Sequence, residues 1–365
     1  MIDSSYSEIT GEYPPLTLLA LPPPQLQQFP RFRYMGSKHR LTEWLHSVFQ
    51  QLEFETAMDA FSGSGVVSYL LKTMHKQVFT NDSLHFPYVL SQALIQNNSV
   101  KLAREDVDYV VSFKAEHTHQ QFVQTTFRDI FYTAKDLEFL DDCWVGIRNL
   151  KSPLKRSLVL ACLLRSCIKR QPRGVFTVSG KGSGYQDGRR DLQLSLQEHF
   201  HEQVKSYNLA VFSNGKQNRS FCGDIFDSPV DNVDLVYMDP PYVPRADDNC
   251  YMKRYHFLEG LSCYWQGVEI METSKVKKIK KPYSPFAHRK NALHAFDQLF
   301  RRFADSTQVL SYSSNAYPDL DCLVKMMKKY KHNIEVLTKP HRYHFGTHEN
   351  AKRNQVEEYL IIGAS

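Results

Sequence analysis

Apolar residues recur at helical spacing just downstream of Lys38. Leu41, Trp44, Leu45, Val48, Phe49 and Leu52 fall at i, i+3, i+4, i+7, i+8 and i+11, which predicts an amphipathic helix lying against a core. The apolar run from Thr56 to Phe61 predicts a buried strand, followed by the turn Ser62-Gly63-Ser64-Gly65 and a helical stretch to about His75. Gln77 to Thr80 predicts a second strand ending in Asn81-Asp82, and Val233 to Met238 a third ending in Asp239. Strands alternating with helical stretches imply right-handed crossovers and a mostly parallel sheet covered on both faces, with ligands gathering at the carboxyl ends of its strands.

The pattern also divides the chain. Residues 1–30 carry Pro14, Pro15, Pro22, Pro23, Pro24 and Pro30 and read as an extended arm. Residues 31–88 and 217–365 read as two parts of one α/β domain. Between them, residues 89–216 are mainly helical, as in Pro153 to Lys169, and are interrupted by a glycine-bearing polar loop from Arg170 to Arg190. Gln308 to Ser313 predicts another strand, a helix begins near Pro318, and Asn333–Leu337 with Glu357–Ile362 predict a terminal antiparallel hairpin. No internal repeat appears.

Composition narrows the classes. A chain of 365 residues that is 42% hydrophobic buries one large core, or a core and a smaller appended domain. A net charge of +6 suits a polyanionic partner without requiring one. Seven scattered cysteines lack the paired spacing of a zinc site, so no metal is expected and the thiols read as reduced, in a cytosolic protein. No stretch approaches the roughly 18 apolar residues of a membrane span.

Two constellations carry chemistry. In Asp59-Ala60-Phe61-Ser62-Gly63-Ser64-Gly65, glycines at a strand-to-helix turn let the backbone come close to a ligand while the helix start offers unpaired amides. Such a turn is by itself often only a bend; Asp82, 23 residues after Asp59, adds an acidic strand end suited to ribose hydroxyls, or to capping the next helix. The second is Asp239-Pro240-Pro241-Tyr242, which average residue frequencies produce by chance in roughly one chain per thousand of this length. Its bland reading is a proline stop after a strand, with Tyr242 packed on the core.

The functional reading follows from the exocyclic amine of adenine, whose lone pair is conjugated into the ring and needs hydrogen-bond acceptors to become nucleophilic. Asp239 accepts one hydrogen and the Pro240 carbonyl the other, while Pro240 and Pro241 fix the backbone in advance. Tyr242 offers a face for a base rotated out of its helix. Upstream, Arg33-Tyr34-Met35-Gly36-Ser37-Lys38 reads first as a helix entry capped by Ser37; as part of a site, Tyr34 stands beside the cofactor and Lys38 reaches toward a carboxylate.

Together these residues resemble the D12 class of DNA adenine methyltransferases, the Dam-like alpha group. Tyr34-Met35-Gly36-Ser37-Lys38 is similar to its Y-x-G-x-K motif, Phe61-Ser62-Gly63-Ser64-Gly65 to its F-x-G-x-G motif, and Asp239-Pro240-Pro241-Tyr242 to its catalytic D-P-P-Y. The separation of 178 positions from Phe61 to Asp239 leaves room for an inserted target recognition domain. The resemblance implies a Rossmann-like methyltransferase sheet, S-adenosyl-L-methionine as cofactor, double-stranded DNA as partner, and N6-methyladenine in a restriction-modification setting beside a cognate endonuclease. It places Tyr34, Lys38, Asp59, Phe61, Ser62, Gly63, Gly65, Asp82, Asp224 and Ile225 on the cofactor, the last two from the D-x-F segment around Asp224-Ile225-Phe226. A monomer in the bacterial cytosol or nucleoid is the expected form.

Basic residues suit this reading: Lys169, Arg170, Arg173, Lys181, Arg189 and Arg190 in the polar loop, and Lys275, Lys277, Lys278, Lys280 and Lys281 after the catalytic motif. Either group touches phosphates or is simply solvated. Tyr251, Arg254, Tyr255 and His256 stand close enough in sequence to attend the flipped base. The alternatives are N4-cytosine methylation, from which Asp239 leans away, an RNA substrate, and a non-catalytic nucleotide- or DNA-binding module.

Overall fold

The computed structural model describes residues 21–172, 174–178, 188–244, 250–342 and 355–364. A 3-10 turn at Lys38–Leu41 runs into α1 (Thr42–Phe49), then β1 (Thr56–Asp59), α2 (Val66–Thr73), β2 (Gln77–Asp82) and α3 (His85–Ser91). A helical region follows: α4 (Arg104–Ser112), α5 (Phe122–Thr126), α6 (Ala134–Asn149), α7 (Pro153–Arg170), α8 (Arg190–Gln193) and α9 (Leu196–Ala210). The chain returns as β3 (Arg219–Cys222), β4 (Leu235–Met238), β5 (Val243–Pro244), α10 (Tyr251–Cys263) and α11 (Ala292–Arg302). It ends with β6 (Thr307–Ser313), β7 (Ala316–Tyr317), α12 (Leu320–Met327), β8 (Asn333–Arg342) and β9 (Gln355–Ala364).

The main sheet has the order β3-β2-β1-β4-β6-β9-β8. Its first five strands are mutually parallel, and β9 runs antiparallel to both β6 and β8. This is the mostly parallel α/β sheet with a terminal antiparallel hairpin that the hydrophobic pattern predicts, in the Rossmann-like form that the family resemblance implies. Successive residues of the central strands serve opposite faces: Ala57, Leu235, Tyr237 and Val309 join one apolar cluster, while Met58, Val236, Met238 and Leu310 join the other. Burial on both faces explains why these strands read as unbroken apolar runs rather than alternating ones. Phe296, Leu299 and Phe300 of α11 cover the second face, each stabilising the fold by about 2 kcal/mol through burial.

The strand order reverses between β1 and β4, so a crevice opens between their carboxyl ends, the usual ligand position in such sheets. Asp59 and Asp239 end those two strands.

The residues from the helical region do not make a core of their own. Leu94, Leu158, Leu163 and Phe200 belong to the same cluster as Tyr69, Val78 and Leu235 of the sheet half, and Phe257 and Leu258 of α10 join them. α7 is set by local chemistry: Ser152 accepts a bond from the Lys155 amide with Pro153 in the first turn, and α9 starts with a Ser195/Glu198 capping box.

Three features differ from the pattern reading. Residues 24–28, expected within an extended arm, form a 3-10 turn, and Phe29 is buried against Tyr69 at 5.1 Å; residues 1–20 of that arm lie outside the described residues. β3 was not legible because a four-residue edge strand of sequence RSFC carries little apolar signal. α10 gives no stripe because it is buried nearly all round, Glu259 and His256 included, and it kinks at Tyr255. Among the described residues no helix is long and apolar enough to cross a membrane, and the seven cysteines are free thiols.

Candidate active site

The turn after β1 is fixed by its own backbone. The Ala60 amide donates to the Tyr237 carbonyl at 2.9 Å, Ser62 to the Asn81 carbonyl at 2.9 Å, and Gly65 to the Ser62 carbonyl at 2.7 Å. These bonds force Gly63 to φ +49° and Gly65 to φ +79°, a region L side chains avoid. Gly63 also has no room: a Cβ there would stand 3.0 Å from Cε1 of Tyr34.

Asp82 braces this turn from the end of β2. Its Oδ2 accepts the Gly63 amide at 2.8 Å and its Oδ1 accepts the Leu84 amide at 2.9 Å. Burial pushes the carboxyl up to about 6 while those amides pull it back. Asp59 is buried more completely and rises to about 7, opposed by a bond from the Ser68 hydroxyl.

Across the crevice, Lys38 Nζ donates to Asp239 Oδ1 at 2.9 Å and lies 3.9 Å from Glu358 Oε2. Desolvation raises the Asp239 carboxyl above its ordinary range, and the Lys38 ammonium acts against that rise. The segment following the two prolines is pinned by pairing of β5 with β7, Val243 opposite Tyr317, and the Tyr242 ring meets Tyr312 at 5.8 Å and 65°. Tyr34 packs between Tyr251 and Tyr255, both at 5.2 Å with interplanar angles of 26° and 5°.

The resulting cleft encloses about 1100 Å³, open mouth included. Its wall takes in Tyr34, Lys38, Asp59, Phe61, Ser62 and Gly63, with Asp82 beside them and Asp239, Pro241 and Tyr242 facing them. Gly65 and Pro240 frame it without lining it. Asp224 and Ile225 stand farther off: Asp224 is exposed and caps the Phe226 amide, Ile225 is buried in the apolar cluster under the sheet, and the link to the cleft is the Gly223 amide bonded to the Asp82 carbonyl at 2.9 Å.

Several expectations are corrected. Ser37 makes no side-chain cap; its hydroxyl stands 3.5 Å from that of Ser64. The N-cap position of α3 falls on Leu84, without a side-chain bond, rather than on Asp82. The carboxylate that Lys38 meets is that of Asp239. Tyr255 and His256 are structural: Tyr255 Oη accepts the Met35 amide at 2.8 Å, and the buried His256 ring contacts the Phe176 carbonyl through Nε2 at 2.8 Å. Lys169 and Arg170 are paired with Asp191 at 2.8 Å and Asp136 at 3.0 Å, and Arg190 with Glu202. Arg173 and Lys181 lie outside the described residues.

Sequence reasoning did not place the segment around Lys281 on the wall, nor Glu358 behind it. Lys281, Pro282, Ser284 and Ala287 close one side, held there because Phe286 meets Phe61 at 5.3 Å and stacks on Phe226 at 5.9 Å. Glu358, buried behind Lys38, reads in sequence as an ordinary polar strand position.

The crevice thus carries a glycine turn and an acidic strand end on one lip and a proline-flanked carboxylate on the other. The chain belongs to the D12 class N6 adenine-specific DNA methyltransferases, whose pattern matches residues 34–315. It methylates adenine in DNA in a site-specific way. Type II methyltransferase M2.HphI of Haemophilus parahaemolyticus is 28% identical, over 92% of this chain and 98% of its own length. Type II methyltransferase M.NlaIII of Neisseria lactamica is 24% identical over 90% of this chain and 98% of its own. Type II methyltransferase M.FokI of Planomicrobium okeanokoites is 25% identical over 90% of this chain, which spans about half of that longer protein.

Proposed function

We propose that S-adenosyl-L-methionine is the methyl donor, lying over the ends of β1 and β2, and that the target adenine enters from the Asp239 side. The observation that carries this reading is the convergence of two strand ends on one cleft: Gly63, bonded to Asp82, and Asp239, bonded to Lys38. The donor set fits the cofactor. Gly63 lines the cleft, with the Tyr34 ring filling the place a side chain would take; Asp82 suits the ribose hydroxyls; Phe61 and Tyr34 supply aromatic walls; Lys38, Asp59 and Ser62 line the pocket between them, and Gly65 holds the turn behind it. Asp224 and Ile225 bear on the adenine ring only through the Gly223–Asp82 link. When bound, the cofactor supplies an activated sulfonium methyl group.

The chain's own groups then prepare the acceptor. Asp239 accepts one hydrogen of the adenine amine and the Pro240 carbonyl the other; Pro240 and Pro241 hold that carbonyl so that no reorganisation is needed at the moment of transfer. Tyr242, edge-on to Tyr312, offers the face on which the flipped base stacks. Closeness and line of approach supply most of the rate.

The duplex meets the side of Lys275, Lys278 and Lys281, since Lys281 lies on the cleft wall, whereas Lys169 and Arg170 serve largely buried ion pairs and Arg190 an exposed one with Glu202. Residues 89–216 act as target recognition domain on a methyltransferase domain formed by 31–88 and 217–365, with 1–30 as an arm. The relatives' names, type II methyltransferase and modification methylase, support a role in a restriction-modification pair with a cognate endonuclease, carried out by a monomer in the cytoplasm beside the chromosome.

Calorimetry and a tritium-transfer assay on purified protein test this. The wild type and Asp239→Ala should both bind S-adenosylmethionine, with methyl transfer to duplex DNA lost only in the variant; transfer that survives in Asp239→Ala overturns the assignment.

A further inference from the structure

Lys38 stands between two carboxylates. Its side chain is only 7% exposed, with Nζ 2.9 Å from Asp239 Oδ1 and 3.9 Å from Oε2 of Glu358, which is itself 1% exposed. A weaker contact runs from the ammonium to the Gly36 carbonyl, at 3.4 Å. Glu358 is carried on β9 opposite Ser313 of β6 and Lys339 of β8, so a rigid sheet sets its reach.

A buried carboxylate in a strand is costly unless something nearby uses it. The reaction poses a matching need. Asp239 has to receive a hydrogen of the adenine amine, and although Oδ2 keeps its own lone pairs, the Lys38 ammonium on Oδ1 fixes the rotation of the carboxylate and draws on the charge the amine needs. An ammonium pulled from its anion in a low-dielectric pocket would stand uncompensated unless another acceptor lay within a short swing. Glu358 is 1.0 Å farther from Nζ than Asp239 is (3.9 against 2.9 Å), a distance that small rotations of a lysine stem cover. We infer that Glu358 is a positioning residue for methyl transfer: it is the second seat of the Lys38 ammonium, occupied when Asp239 turns to the adenine amine. This rests on the reading of Asp239 as acceptor and adds to it the device that frees Asp239.

The electrostatics point the same way. Lys38 and Glu358 act on Asp239 directly, Lys38 lowering its proton affinity and Glu358 raising it. Asp59, Tyr34, Tyr237 and Tyr251 are the other titratable groups coupled to Asp239. Loss of the Glu358 charge therefore makes Asp239 easier to ionise, which moves the acid limb of the rate profile to lower pH.

The test is single-turnover methyl transfer by full-length Glu358→Gln, with cofactor and DNA affinities measured alongside. The expected result is a rate about ten- to a hundredfold lower, unchanged affinities, and an acid limb displaced downward. In a Lys38→Met background the same substitution should add no further loss of rate, because the second seat then has no occupant, while the direct effect of Glu358 on Asp239 still moves the acid limb. Glu358→Asp, which keeps the charge and shortens the reach, should restore the acid limb and part of the rate; it also carries the test if the amide variant proves too unstable to assay. A full rate with an unmoved acid limb in Glu358→Gln overturns the inference, as does an equal loss with and without Lys38. If Asp239→Asn keeps its activity, the acceptor assignment itself fails; if Asp239→Asn is inactive while Glu358→Gln is normal, only the role of Glu358 falls.

Discussion

On the cofactor side of the cleft, every principal residue from Asp59 to Asp82 comes from one strand-turn-helix-strand unit. On the acceptor side, Lys38, Asp239, Tyr251, Lys281 and Glu358 arrive from five separate places in the chain. The first side is fixed by local hydrogen bonds, chiefly Gly63 to Asp82 and Ser62 to Asn81. The second exists only once the sheet is closed, because Lys38 meets Asp239 across 201 residues of sequence. Substitutions on the cofactor side should therefore weaken ligand affinity, while those on the acceptor side should cut turnover with affinity intact.

The sharpest break is Asp239→Ala, expected to lower the transfer rate by about a thousandfold while the cofactor dissociation constant, read by calorimetry, stays within error. Gly63→Ala probes the opposite wall. Its Cβ meets Tyr34 at a backbone φ of +49°, so a strain of about 1–2 kcal/mol should weaken cofactor binding roughly tenfold, with the rate recovered at saturating cofactor.

The two basic segments extend the contrast outward. Lys275→Ala/Lys278→Ala should reduce the slope of log affinity against log salt by about two, whereas Lys169→Ala/Arg170→Ala, which breaks largely buried ion pairs, should leave that slope alone. A filter-binding series at several salt concentrations decides it.

The smallest effect concerns stability. Asp59, Asp82 and Glu259 have carboxyls raised by burial to about 7, 6 and 7. Folded-state values above the unfolded ones mean that the folded chain holds protons more tightly, so this contribution is present near pH 4 and is lost as pH rises through 6 to 7. The melting temperature of the ligand-free protein should fall by a few degrees between pH 5.5 and 8, and Asp59→Asn should flatten part of that fall. His256, held down to about 4, opposes the trend only on the acid side, between about 6.5 and 4.

Legibility in the sequence follows the same division. The turn after β1, the acidic end of β2 and the strand before Asp239 were readable because local periodicity and glycine or proline chemistry specify them. So were α7 and the terminal hairpin. The segment at 281–287 was hidden because its place depends on Phe286 seating against Phe61 and Phe226, a contact between residues 225 positions apart in one case. Glu358 was hidden because nothing local distinguishes a buried glutamate from an exposed one. Tyr255 and His256 misled for the converse reason: closeness to the catalytic motif in sequence put them near the base, while α10 turns both into the core. α11 was not among the predicted elements, although its Ala292, Ala295, Phe296, Leu299 and Phe300 form a helical stripe.

The most direct measurement of the central claim is to express the wild-type chain and Asp239→Ala in a host devoid of adenine methylation and to read the genomic DNA by single-molecule sequencing. The account predicts N6-methyladenine confined to one short motif with the wild type and none with the variant. Methylation that persists in the variant, or that falls on cytosine, would contradict it.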